Sequence, residues 1–293
     1  MISRRGRLLT TLTALAVVAG LLIAGGVWVN NFFRDAFAPG LSVGCTATSG
    51  DSSHRLAVDQ TENAALISAI SLKRGMPARA ASIALATALQ ESKLRNIDYG
   101  DLDSVGLFQQ RPSQDWGTVE QIMDPVYSTN AFFDVLAKVP GYVDLPINDA
   151  AQIVQRSGYP HAYAQHEEMS RAFASALTGQ TPAGLSCTLA EATAVSTPEA
   201  LEEAARTAFG QVTLASPPGA GVTTLTLTPP PEHGWALAQW SVANAAQFGL
   251  AKVSYDGKTW DRNANDKGRN VGWQADATPS APGYITVEMA QTP

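Results

Sequence analysis

The sequence feature that most restricts the fold is an apolar stretch near the N-terminus, from Leu8 to Val29, which contains no charged side chain. A membrane-spanning helix needs about 20 predominantly apolar residues, and this stretch is long enough. Three arginines lie among residues 1–7, and basic residues favour the cytoplasmic side of a membrane. The sequence therefore predicts a cytoplasmic basic leader over residues 1–7 and a transmembrane signal anchor over 8–29.

The N-terminal segment has a second interpretation as a cleaved secretion signal. Ala36-Phe37-Ala38 fits the small-residue pattern of a cleavage site, and cleavage there would make the protein secreted. A retained anchor is favoured because the apolar stretch exceeds the roughly 7–15 residues of a cleavable signal, and because Pro39 is a poor first residue for a mature chain. We expect a single-pass protein of the cell membrane, with a cytoplasmic N-terminus and an extracytoplasmic bulk.

Charge and composition exclude two classes of protein. The net charge is −6 at pH 7, whereas nucleic-acid binding depends on phosphate neutralisation by Lys and Arg, so we expect no nucleic-acid partner. Beyond residue 29 no apolar stretch approaches the roughly 18 residues that a further spanning helix needs, which excludes a polytopic membrane protein. The rest of the 293-residue chain is long enough for two hydrophobic cores.

Cys45 and Cys187 are the two cysteines of the sequence. Both follow the predicted anchor and would lie in an oxidising compartment, where disulfides persist. We expect them to pair and to close a long loop, which chain-entropy models rate at roughly 4–5 kcal/mol of stability. Two free buried thiols are the alternative.

The residues after the predicted anchor divide into parts with different patterns. Residues 55–187 show helical spacing without sustained period-two alternation, which predicts an all-α domain. Residues 30–54 and 188–197 lack such spacing and are predicted linkers. The helices predicted in the domain are Gln60–Lys73, Pro77–Leu94, Val119–Met123, Pro125–Val139, Ile147–Gln155 and Pro160–Leu177.

Residues 198–293 predict a small α+β domain, so the chain as a whole belongs to the α+β class. Its predicted helices are Pro198–Phe209 and Trp235–Phe248, and its predicted strands are Val222–Thr228, Lys252–Tyr255 and Tyr284–Met289. Four tryptophans lie here: Trp235, Trp240, Trp260 and Trp273. They either stack on sugars or form the core of a small domain, and the core interpretation is favoured.

This C-terminal domain is loosely similar to the closing half of zinc D-Ala-D-Ala carboxypeptidase-like domains. The likeness lies in residues 234–240, 253–260 and 272–273, but Gly283–Met289 lacks the expected histidine ligand and no His-x6-Asp precedes it. The likeness therefore implies a non-catalytic module that packs against the rest of the chain or binds an envelope protein.

His161 and His166 are five residues apart, which does not place them on one helix face, and we expect neither a metal nor another cofactor.

Glu91 is the candidate catalytic residue. It is the only carboxylate of the segment Ile83–Ser92, and the same helix face carries Ala84, Thr87 and Ala88. A carboxyl group over such a small, mostly apolar face is partly desolvated, which raises its pKa toward the range that a general acid needs. A solvated residue at a helix end is the alternative interpretation.

Two motifs favour the catalytic interpretation. Glu91-Ser92 followed by Ser104-Val105-Gly106-Leu107-Phe108-Gln109 resembles the paired motifs of soluble lytic transglycosylases and goose-type lysozymes. Residues 55–179 as a whole also look like a set of lysozyme-like bacterial envelope proteins. The resemblance implies a lysozyme-like fold, with Glu91 as catalytic acid/base. It also implies substrate contacts from Ser92, Gly106, Leu107, Phe108, Gln109 and Gln155, although Gln155 stands where the family carries the Asn of an Ala-Tyr-Asn motif.

The resemblance also implies a reaction. A single Glu protonates the glycosidic oxygen and then acts as base while the 6-hydroxyl of the substrate closes a 1,6-anhydro ring. A hydrolase usually needs a second carboxylate, for which Asp98, Asp101 and Asp103 are candidates, although Asp residues in such loops more often shape turns. The expected substrate is the β-1,4 bond between N-acetylmuramic acid and N-acetylglucosamine in peptidoglycan glycan strands. The alternative is an inactive lysozyme-like protein that binds peptidoglycan or acts as an envelope scaffold.

Overall fold

Nine α-helices and nine strands form in the computed structural model, which describes residues 43–159, 161–216, 224–230, 232–266, 269–276, 279 and 281–291. The predicted leader, the predicted anchor and the proposed cleavage site fall within residues 1–42, which lie outside the described residues. None of the helices in the described ranges has both the length and the apolar character needed to cross a membrane. The mixture of helices and sheets confirms the α+β class.

The helical part of the chain is built around one alanine-rich helix. Helix α2 (Ala78–Ser92) is buried without interruption from Ala80 to Leu89, because its small side chains allow other helices to approach closely from several sides. It contacts four of them: α1 (Val58–Lys73), α4 (Pro125–Leu136), α5 (Ile147–Gln155) and α6 (Glu167–Leu177). The short helix α3 (Val119–Ile122) precedes α4.

Two of these helices end in a way that turns the chain sharply. Lys93 follows α2 with φ of 55°, and Arg156 follows α5 with φ of 52°. A left-handed residue at this position terminates an α-helix and redirects the backbone. As a result, Glu91 and Gln155 both lie in the last turn of their helices.

A three-stranded antiparallel sheet stands where a linker and an all-α domain were predicted. Its strands are β1 (Gly44–Ser49), β2 (Ser52–Leu56) and β3 (Leu185–Thr188), in the order β2-β1-β3. Residues 44–54 of the predicted linker therefore belong to two strands and the turn between them, and the helical part is bordered by strands. The strands are short, and β1 pairs with a segment far away in sequence, so no local pattern indicated them.

The same sheet confirms the predicted disulfide. Cys45 of β1 stands directly opposite Cys187 of β3, and their sulfur atoms are bonded at 2.02 Å. Both cysteines are completely buried. The bond therefore joins the two ends of the helical part at one place.

The C-terminal part contains a six-stranded antiparallel sheet and three helices. The strands are β4 (Thr213–Ala215), β5 (Thr224–Thr228), β6 (Leu250–Tyr255), β7 (Lys258–Asp261), β8 (Gln274–Ala275) and β9 (Ile285–Met289), and the helices are α7 (Pro198–Phe209), α8 (Gly234–Ala243) and α9 (Ala245–Phe248). The strand order is β4-β5-β9-β6-β7-β8. Residues of the central strands, including Ile285, Val287 and Val253, are buried, and helix α8 packs against strands β6 and β9.

Two predicted helices differ most from the observed elements. In the segment predicted as a helix from Pro160 to Leu177, the α-helix begins only at Glu167. A 3-10 turn over Ala164–His166 precedes it. The predicted helix Trp235–Phe248 is divided at Asn244, whose side-chain amide donates a hydrogen bond to the Trp240 carbonyl. Asparagine side chains compete with the backbone for such bonds and so favour helix ends.

Three of the four C-terminal tryptophans lie in the hydrophobic core. Trp240, Trp260 and Trp273 are at most 9% exposed, which confirms the core interpretation for these three. Their indoles also reach the first sheet: Trp260 Nε1 donates to the Cys187 carbonyl at 3.2 Å and Trp273 Nε1 to the Leu185 carbonyl at 2.8 Å. Buried residues of both parts belong to one apolar cluster, and a domain boundary at 188–197 stays a prediction.

Candidate active site

Glu91 lies in the last turn of α2 and is partly buried. The hydroxyl of Tyr163 donates a hydrogen bond to Glu91 Oε1 at 2.7 Å. Burial raises the pKa of the Glu91 carboxyl above its usual value, while hydrogen bonds from Tyr163 and Gln155 partly oppose that rise. Burial disfavours the charged form and the hydrogen bonds favour it, so Glu91 is a desolvated carboxyl group held in a defined orientation.

Hydrogen bonds fix three segments of the chain around this carboxyl group. Ser92 Oγ donates to the Leu107 carbonyl at 2.7 Å, which ties the end of α2 to the turn at 106–109. Gln155 Nε2 donates to the Phe108 carbonyl at 2.8 Å, which ties the end of α5 to the same turn. Glu91 is therefore positioned by α2, by α5 and by the turn between residues 106 and 109.

The turn itself is closed by hydrogen bonds. The backbones of Val105 and Gln110 exchange two hydrogen bonds of 3.0 Å, and between them Gly106 and Gln109 have φ of 81° and 48°. Gln109 Nε2 donates to the Tyr99 and Gly106 carbonyls at 3.3 Å each. The motif recognised in the sequence therefore forms one closed loop that is tied to the ends of α2 and α5.

The residues implied as substrate contacts have two different roles. Leu107 and Phe108 are completely buried, and Phe108 stacks on Phe132 with ring centroids 4.7 Å apart, so these two support the turn and do not line a cleft. Ser92 and Gly106 are also buried. Gln109 and Gln155 keep partial exposure and are the members of the set that a ligand can reach.

Replacing Gly106 with Ala is expected to destabilise the protein by about 2–4 kcal/mol, because a left-handed backbone and a steric contact act together. A Cβ at this position would lie 2.8 Å from the Ile122 carbonyl oxygen. Gly141 is a matched control, since its φ is 66° and nothing lies within 4 Å of its Cβ position. Urea unfolding measures both variants, and an equal loss of stability in the two would contradict the close contact at Gly106.

Asp103, in the acidic loop next to the turn, is held by a network of hydrogen bonds. The Asp103 carboxylate accepts hydrogen bonds from Arg111 Nε at 2.8 Å, from the Ser113 backbone at 2.8 Å and from Ser113 Oγ at 3.0 Å. The Arg111 and Ser113 hydrogen bonds hold the pKa of Asp103 far below its usual range. Asp103 is therefore an ionised residue that shapes the loop, whereas Asp98 and Asp101 are exposed.

Two residues of the site were not predicted. Tyr163, which is completely buried, contacts Glu91 from the segment before α6, and the dipeptide Ala162-Tyr163 was the available signal for it. Trp116 lines a groove of about 490 Å³ that also includes Gln155. The full lining of this groove is Gln114, Asp115, Trp116, Val135, Val154, Gln155 and Arg156.

Replacing Tyr163 with Phe is expected to raise the pKa of Glu91 further, because the hydroxyl hydrogen bond favours the ionised carboxylate. A reaction that needs protonated Glu91 would then persist to higher pH than in the wild type. Carboxyl resonances followed by NMR during a pH titration measure the shift directly. Tyr142→Phe removes the hydroxyl of another partly buried tyrosine and should leave the titration unchanged, whereas equal shifts in both variants would contradict the contact.

Cavity size alone does not locate this site. A larger cavity of about 550 Å³ lies on the polar face of strands β6, β7 and β9, away from Glu91. We assign the candidate active site to Glu91 because it is a desolvated carboxyl group with hydrogen bonds from Tyr163 and Gln155, and because Gln155 also lines the groove that contains Trp116.

No group of three or more His, Cys, Asp or Glu side chains in the described ranges can hold a metal ion. Comparison of the chain with models of protein families and with curated proteins gives no match.

Proposed function

We propose that the protein is a membrane-anchored lytic transglycosylase or muramidase that cleaves the β-1,4 bond between N-acetylmuramic acid and N-acetylglucosamine. Glu91 is the acid/base of this reaction. The observation that carries the proposal is the Glu91 carboxyl group, whose pKa is raised by burial while Tyr163 fixes its orientation. A general acid works best when its pKa approaches the pH of operation.

The surroundings of Glu91 favour intramolecular attack over hydrolysis. Burial and hydrogen bonds from Tyr163 and Gln155 account for its pKa shift, with no contribution from a carboxylate of the described residues. Glycosidases that use water generally pair two carboxylates. In the proposed reaction Glu91 gives its proton to the leaving 4-oxygen as the C1–O4 bond breaks, and then accepts a proton from the 6-hydroxyl as the C1–O6 bond forms.

Aromatic side chains near the site suit a sugar chain. Trp116 lines the groove that begins at Gln155, and an aromatic face packs well against the apolar face of a pyranose ring. Tyr99 and Tyr159 are 70% and 78% exposed, and they lie in the loops that follow α2 and α5. These residues provide contacts for several sugar units of a glycan strand.

The proposal includes where the protein acts. The predicted anchor at residues 8–29 would hold the protein at the cell membrane with its bulk outside, and the Cys45–Cys187 disulfide suits an oxidising compartment. The proposed partners are peptidoglycan glycan strands, the membrane and an envelope protein bound through the C-terminal part.

Product analysis of digested peptidoglycan tests this function. The full-length protein is incubated with purified, insoluble cell wall, and released fragments are identified by mass spectrometry. Fragments with 1,6-anhydro ends are expected for a transglycosylase, and reducing ends would instead indicate hydrolysis. Retention on the wall without release of any fragment would overturn the enzymatic proposal and support the binding or scaffold alternative.

A further inference from the structure

A third cavity, of about 330 Å³, lies next to the segment that follows the disulfide and is not used by the proposed reaction. Its volume is within the range of sites for small molecules. The cavity is lined by Leu189, Ala190 and Glu191 and by Arg262, Asn263 and Asp266 of the turn after β7.

Arg262 is a buried cation, and among the described residues it forms no ion pair. It is 4% exposed, and its Nη2 donates to the Ala245 carbonyl at 3.1 Å. Its Nε and Nη1 are buried without a hydrogen-bond partner in the described ranges. Burial lowers the pKa of the guanidinium, and no carboxylate offsets this effect. A buried guanidinium costs free energy unless it is paired with an anionic group. An anionic group of a ligand would supply this pairing for Arg262.

The lining of the cavity also carries negative charge. Glu191 is exposed and forms no ion pair within the part of the chain that the structure describes. Asp266 pairs with Arg269, with 3.3 Å between Asp266 Oδ1 and Arg269 Nη2. A simple anion would therefore be attracted by Arg262 and repelled by Glu191, whereas a ligand with charges of both signs would be attracted by each.

We propose that this cavity binds a small zwitterion, namely a free α-amino acid with a small side chain. The ligand carboxylate pairs with Arg262 and its ammonium group with Glu191. Leu189 and Ala190 supply the apolar contact and limit the side chain to a small size. Because Arg262 Nε and Nη1 are closed to solvent, binding requires the guanidinium to shift toward the cavity.

Isothermal titration of the full-length protein with three related molecules tests the proposal. Alanine carries both charges, propionate carries only the carboxylate and ethylamine carries only the ammonium group. Alanine is expected to bind about tenfold or more tightly than either fragment, since each charged hydrogen bond contributes to affinity. Binding of propionate as tight as that of alanine, or no binding of alanine, would overturn the proposal.

Two variants test the residues. Glu191→Gln is expected to weaken alanine binding about tenfold, whereas Glu199→Gln, an exposed residue of α7, should bind like the wild type. Equal weakening in both would overturn the assignment.

Arg262→Met should abolish binding while the protein remains folded. If Arg262→Met does not fold, the proposal is still tested by the Glu191→Gln variant and by the comparison of alanine with propionate. Glu91→Gln should bind alanine normally, which separates this site from the proposed active site.

Discussion

Replacing Glu91 with Gln is expected to reduce the release of glycan fragments by about 10²–10⁴-fold, because the amide cannot donate a proton to the leaving oxygen. The substitution keeps the size of the side chain, and the Tyr163 hydroxyl can donate to the amide oxygen as it donates to Glu91 Oε1. Release of soluble fragments from purified cell wall, measured for the full-length protein, checks this result.

Glu62→Gln is the matched control for this loss of activity. Glu62 is a partly buried glutamate of α1, and burial raises the pKa of its carboxyl group too. Neutralising it should leave fragment release unchanged, because it does not contact the turn or Tyr163. Wild-type release from Glu91→Gln, or an equal loss in both variants, would remove Glu91 from the mechanism.

The same Glu91→Gln protein is expected to be more stable than the wild type at neutral pH. The folded-state pKa of Glu91 is raised above its ordinary value of 4.5, so the folded protein binds the proton more tightly than the unfolded chain. The contribution of Glu91 to wild-type stability is therefore fully present below the ordinary value and is lost as pH rises through the folded-state pKa. Urea unfolding at a series of pH values should show the two proteins diverging above pH 4.5.

Removing the disulfide is expected to have the largest effect on stability. Cys45 and Cys187 are 142 positions apart in sequence, and the chain-entropy model gives about 4–5 kcal/mol for a loop of this length. The double variant Cys45→Ala, Cys187→Ala should lose about this free energy of unfolding, because its unfolded state is less restricted. Urea unfolding under non-reducing conditions measures the difference.

Chemical reduction provides the control for the disulfide prediction. The wild type unfolded in the presence of a strong thiol reductant should show a similar loss, whereas the double alanine variant should not respond to the reductant. A loss of less than about 1 kcal/mol in the double variant would show that the unfolded chain is restricted by something other than the disulfide.

The sequence predicted the helices best where their ends carry clear signals. Ile147–Gln155 and Pro198–Phe209 have the predicted bounds. Helix α7 follows Thr197, whose side chain accepts a hydrogen bond from the Ala200 backbone, and proline suits the first position of a helix. The small sheet was missed because β1 and β3 are separated in sequence by the whole helical part, so no local pattern indicates their pairing.

The sequence likewise predicted some residues of the candidate site and missed others. Glu91 was found because its position on an alanine-rich helix is a local property of the sequence. Tyr163 was missed because it belongs to a segment predicted as helix, and the break before Glu167 is what directs its hydroxyl to Glu91. Leu107 and Phe108 were assigned to a cleft because a motif gives residue types without saying which side chains the core encloses.

The pairing of Cys45 with Cys187 has a mechanical consequence. Tension applied to the chain between residue 43 and residue 188 passes through the covalent sulfur bridge and does not pull on the residues inside the loop. Glu91, Tyr163 and Gln155 all lie inside that loop. A pulling force transmitted along the backbone would therefore leave the spacing of these three side chains unchanged, even when the C-terminal part is stretched.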